Sequence, residues 1–121
     1  MEKPMTRQRR PGIWIWQVLT GIGLVVLLTL HMVANHFVRE GGLQTYQDVI
    51  EYLGNPLIMV LELAFLAVVT YHALLGVRAI LTDLGLSDRA LSVTNRVLTV
   101  LGVIMVAWGI FLTIYVVRLG A

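Results

Sequence analysis

Seven polar residues stand inside or at the edges of long apolar runs in this 121-residue chain: His31, Glu62, His72, Arg78, Asp83, Arg96 and, nearer a run's end, His36. An ionisable side chain inside such a run costs free energy to insert, so each is a candidate for function. His72 is followed four residues later by Gly76, and on a helix the two share a face. The glycine leaves a groove beside the imidazole, the kind of space a flat macrocycle needs, and neutral imidazole is a good axial ligand for haem iron. The plainer reading of His72 is a histidine that hydrogen-bonds to a neighbouring helix.

These residues need membrane helices to position them. Hydrophobic residues make up 58% of the chain and charged ones 13%, with a mean hydropathy of +0.83, a balance that excludes a water-soluble globule. No charge falls between Arg10 and Arg39 or between Arg96 and Arg118, and each stretch exceeds the roughly 20 residues that cross a bilayer as helix. A third run, from Pro56 to Thr82, is interrupted only by Glu62 and Arg78. The expected fold is all-α and integral to the membrane, with transmembrane helices over 13–38, 57–82 and 96–118. A basic tail (1–12), an outer loop (39–56) and a loop on the tail's side (83–95) complete the chain. No loop is long enough for a soluble catalytic domain. With no cysteine the chain ligates no iron–sulfur cluster, builds no zinc thiolate site and attaches no c-type haem.

The first run is too long for a cleavable signal peptide and lacks a small-residue cleavage site. Trp14 and Trp16 sit in its first turn, where indole rings favour the headgroup level. Tyr46, Val49, Ile50 and Leu53 recur at helical spacing and predict a short helix lying along the outer interface, broken by Asn55-Pro56. Gly85 closes the second span. Ser92 or Thr94 caps the third, in which Gly102 and Gly109 admit a close neighbour. Lys3, Arg7, Arg9, Arg10, Arg78, Arg89 and Arg96 lie towards one side and only Arg39 and Arg118 towards the other. The positive-inside rule therefore makes the N-terminus cytoplasmic and the bundle up-down-up. Basic residues beside spans are orientation signals, so no nucleic-acid partner is expected. Three helices bury little, and partner subunits are expected.

On the first helix Gln17, Gly21, Leu24, Leu28, His31 and Asn35 form one stripe that should face protein; on the second, Val69, His72, Gly76, Ala79 and Asp83 form another. At about 1.5 Å per residue, His72 lies about 15 Å from Thr82, whereas His31 lies about 27 Å from Ile13. Straight helices do not bring both to one iron. If both ligate, they serve two haems.

The stretch His72-Ala73-Leu74-Leu75-Gly76-Val77-Arg78-Ala79-Ile80-Leu81-Thr82-Asp83 resembles the H-A-x-x-G-x-x-x-x-L-T-D segment on the second helix of the small membrane-anchor subunit, of cytochrome b type, of succinate dehydrogenase (succinate:quinone oxidoreductase). Tyr71 before the histidine and Arg78 two residues after the glycine are similar to prokaryotic members. Length and three spans agree over nearly the whole chain. The resemblance implies an anchor in a bacterial or archaeal cytoplasmic membrane, with no succinate chemistry of its own. Its partners would be a second anchor subunit, an iron–sulfur subunit and a flavoprotein. It implies haem b, one or two, shared with the other anchor, and a quinone site. His72 would supply an axial imidazole, Gly76 clearance for the porphyrin, and Arg78, with Arg96 second to it, a cation for a propionate. Snorkelling to the interface is the plainer role for Arg78. Asp83 ends the motif near a quinone pocket, but the family's following tyrosine is Leu84 here, which offers no hydroxyl.

His31 would serve a second, outer haem, with an inter-helix hydrogen bond as its rival; His36 is read as interfacial. Glu62 is a candidate to pair with a histidine, relay a proton to an outer quinone or stabilise its helix start. Two other readings stay open on sequence alone: an anchor of a fumarate reductase, and a cofactor-free scaffold or transporter subunit in which these residues are helix glue or a proton path.

Overall fold

A computed structural model describes residues 11–37 and 40–121. Most of the basic tail, with Lys3, Arg7, Arg9 and Arg10, lies outside the described residues, as does Arg39. Four helices follow in order: α1 (Pro11–Phe37), α2 (Tyr46–Gly54), α3 (Pro56–Asp83) and α4 (Asp88–Gly120), with no strand among the described residues. The three long ones are apolar enough to cross a membrane. Helix is the form that satisfies every backbone group of such a segment within the segment itself. The chain is a multi-pass membrane protein of three spanning helices.

Local chemistry sets the helix ends. Thr45 and Asp48 form a reciprocal capping box at the start of α2: the Asp48 amide donates to Thr45 Oγ1 (3.2 Å) and the Thr45 amide to Asp48 Oδ2 (2.9 Å). Asn55 both ends α2 and starts α3. The following proline holds it extended (φ −76°, ψ 118°), and its side chain accepts from the Leu57 amide at 3.0 Å. Gly85, at φ +75°, turns the chain after α3. The helix expected over 96–118 begins eight residues earlier, because Ser87 is the cap, accepting from the Ala90 amide at 3.2 Å. Asp88 then sits in the first turn, where its charge suits the helix dipole, and no breaker stands between it and Ser92 or Thr94. The connection shrinks to Leu84–Ser87, and Arg89 and Arg96 become helical.

α3 is central. It packs against α1 on one side and α4 on the other, while α1 and α4 share no extensive contact; α2 lies against α3 and α4. Two pairings fix the direction of α1 against α3: Thr20 meets His72 and His31 meets Glu62, so the two helices are antiparallel. α4 approaches α3 closely through Gly102 and Gly109, where an added methyl group would overlap Leu74 and Leu66. Few side chains among the described residues are buried in this open layer: Ile50, Tyr52, Ile58 and Thr70.

The inward face of α1 runs through Thr20, Leu24, Leu27 and His31. Leu28, expected on it, is 48% exposed, because a helix packed along a single spanning neighbour buries only a narrow line. On α3, His72 and Gly76 are half-buried, whereas Val69, Ala79 and Asp83 are exposed. The short helix α2 is more than interfacial: Ile50 packs against Gly120 of α4, and Tyr52 is turned inward and only 4% exposed.

Candidate functional site

Two polar sites interrupt the α1–α3 seam. Eleven residues of α1 separate Thr20 from His31, about 16 Å at the helical rise, so the histidines occupy different depths, as their spacing predicts.

The first site holds His72. Thr20 Oγ1 lies 2.7 Å from the Trp16 carbonyl and 2.9 Å from His72 Nδ1. Gly21 sits against the ring: a Cβ there would stand 3.3 Å from His72 Cε1, closer than ordinary contact. His72 Nε2 has no hydrogen-bond partner among the described residues. Beside Gly76 lies the amide of Gln17, 3.6 Å from where a Cβ would be, and Gln17 Oε1 is buried with no hydrogen-bond partner among the described residues. The sequence placed Gln17 on the inward stripe but gave it no role. Thr20, on the edge of that stripe, was missed; its spacing of 11 from His31 puts it on the same face and would have found it.

Arg78 and Arg96 do not join His72. At 100° per residue Arg78 is turned about 120° from it. It lines a groove of about 680 Å³ between α3 and α4 with Tyr71, Asn95 and Thr99. Asn95 Oδ1 is a second buried acceptor with no hydrogen-bond partner among the described residues. Asn95, Thr99, Gly102 and Val106 fall at i, i+4, i+7 and i+11, a signal that could have identified this face of α4. Arg96 is exposed on α4, across α3 from α1. Asp83 is exposed at the end of α3.

The second site joins three helices. His31 Nδ1 lies 2.8 and 2.7 Å from the two carboxylate oxygens of Glu62. A carboxylate only accepts, so Nδ1 carries the proton. The Tyr52 hydroxyl donates to Glu62 Oε1, and Asn35 Nδ2 donates to the Tyr52 oxygen at 3.1 Å. The same amide lies 3.4 Å from His31 Nε2, and the Phe65 ring is 4.9 Å from the imidazole. The pairing of Glu62 with a histidine and the inter-helix hydrogen bond of His31 are thus both present. Burial first, then the hydrogen bond to Glu62 and its charge, raise the Tyr52 phenol far above its ordinary range, so it stays protonated and remains a donor. Tyr52 lies off the apolar face predicted for α2, and nothing in the local pattern marks it.

Comparison with known proteins gives the chain relatives. The family described as succinate dehydrogenase/fumarate reductase transmembrane subunit matches residues 8–112. The chain is similar to a succinate dehydrogenase hydrophobic membrane anchor subunit of Archaeoglobus fulgidus, 28% identical over 84% of this chain and 86% of the relative. A protein of the same description from Thermoplasma acidophilum is 29% identical over 85% and 84%. Succinate dehydrogenase 2 membrane subunit SdhC of Mycobacterium tuberculosis is 32% identical over 60% and 54%. No solved structure matches the chain significantly.

Proposed function

This chain belongs to the succinate dehydrogenase/fumarate reductase transmembrane subunit family, and from that membership we propose that it is a membrane anchor of a succinate:quinone oxidoreductase that holds haem b through His72. The membrane is the cytoplasmic membrane of a bacterium or archaeon, with the Trp14 end of the bundle inside. A second anchor subunit would share the haem with this chain. An iron–sulfur subunit and a flavoprotein dock on the inner side.

One observation carries the reading: the central helix bears an imidazole midway along its length whose Nε2 has no hydrogen-bond partner among the described residues, with glycines at positions 21 and 76 on the seam beside it. The residues present fit an axial ligand. Haem held by His72 would supply one-electron transfer chemistry at that depth. The protein's part is to supply a neutral imidazole at fixed depth and to exclude water with the apolar residues around it. Arg78 and, farther off, Arg96 are the cations this chain offers to the propionates. A quinone headgroup at the inner end would meet Asp83, and the unpartnered Gln17 amide lies on the way to it.

A second reading follows from the His31–Glu62 contact. A carboxylate on Nδ1 is a common support for a metal-bound histidine, so an outer haem on His31 would use Nε2 and displace the Asn35 amide. Otherwise the cluster joins α2 to the bundle and offers a proton-carrying group, Glu62, to an outer quinone. A reduced-minus-oxidised spectrum with haem counted per complex tests both readings: a b-type band lost in His72→Ala supports the first. A scaffold without cofactor gives no band. Whether the complex oxidises succinate or reduces fumarate in the cell is a matter of its working direction, tested by assaying both.

A further inference from the structure

We infer that Thr20 and Gly21 of α1 are positioning residues that select the tautomer of His72, leaving the lone pair on Nε2; this rests on the haem reading above. A threonine hydroxyl has one proton to give. Oγ1 is 2.7 Å from the Trp16 carbonyl and 3.2 Å from the Gln17 carbonyl, two oxygens that can only accept, and 2.9 Å from His72 Nδ1. The hydroxyl therefore donates to a carbonyl and accepts from the ring. Nδ1 carries the proton, and Nε2 of the neutral imidazole is the basic nitrogen. The opposite tautomer would leave an N–H at Nε2 with no partner among the described residues, a costly group at membrane depth.

Gly21 makes the contact attainable. The ring's Cε1 edge lies over it, and a methyl there would stand 3.3 Å from Cε1, so the imidazole would have to give by a few tenths of an ångström. One residue holds the ring and its neighbour gives the ring room. A ligating histidine whose second nitrogen donates a hydrogen bond is held in orientation and made more basic, and losing such a partner typically costs about 10- to 100-fold in affinity for the metal.

The test is made on the assembled complex. Thr20→Val keeps the shape and removes the acceptor; Thr20→Ala removes it without bulk; Thr20→Ser restores it. In the first two, haem retention should fall about 10-fold or more, and the remaining b-type haem should have a higher midpoint potential because its ligand is a weaker donor. Thr20→Ser should return both to the parent values. Co-purification of the partner subunits reads assembly separately. Parent-like haem retention and potential in Thr20→Val and Thr20→Ala, with the band still lost in His72→Ala, overturn the inference and leave the haem reading standing. A band that survives His72→Ala overturns the haem reading itself.

Discussion

Tyr52 of α2 donates its phenolic proton to Glu62 of α3, and through that bond a nine-residue helix is fastened to the seam between two membrane spans. Tyr52 is 4% exposed, and Glu62 also accepts from His31 on α1. One carboxylate thus gathers three helices.

Removing the phenol tests the fastening. Tyr52→Phe should lower resistance to unfolding by about 1–3 kcal/mol, the usual cost of losing a buried partner. The pH dependence has a definite sign. The phenol's folded value is raised above 10.0, so the unfolded chain releases this proton first, and stability falls as pH climbs past 10. Detergent-resistant unfolding followed by circular dichroism should show that alkaline loss in the parent and a reduced one in Tyr52→Phe. Equal alkaline slopes would refute the placement of the phenol.

Glu62→Ala strands two donors, His31 Nδ1–H and the Tyr52 hydroxyl, at about 1–3 kcal/mol each. Glu62→Gln keeps an acceptor and should cost less. Limited proteolysis of the 40–55 segment reports it: cleavage should rise steeply in Glu62→Ala and modestly in Glu62→Gln.

Haem stoichiometry separates the two histidines. If one haem is bound, His31→Ala keeps the full b-type band and His72→Ala loses it. Two haems per complex in the parent, with one lost in His31→Ala, establish the outer site instead.

Gln17 buries an acceptor that no described residue satisfies. An apolar residue of similar size should be neutral or stabilising for the bundle. Gln17→Leu is therefore expected to assemble with unchanged or higher thermal stability, while KM for quinone rises several-fold if the amide serves the headgroup. A destabilised complex would mean that the amide has a structural partner in the assembly.

The spans were legible because charge-free runs of membrane length admit little but helix. The breaks at Asn55-Pro56 and Gly85 were legible because proline and left-handed glycine act locally. The start of α4 was misjudged, since the charges at Asp88, Arg89 and Arg96 suggest a loop although Ser87 already caps the helix. At the sites, periodicity set His31 and Asn35 together on one face, and depth separated His31 from His72. What it could not supply was anything decided between elements. Thr20 beside His72 depends on how α1 and α3 slide past each other. Tyr52 in the carboxylate cluster depends on where α2 docks. Leu28 was misassigned because α1 packs along one spanning helix and not two.

Between α3 and α4 runs the groove lined by Arg78 and Asn95. An unaccompanied copy would offer lipid a slot bearing a guanidinium and a carboxamide, and such a surface is best sealed by another protein. A copy left alone in the bilayer should thus be less stable than one assembled with the other subunits of its complex.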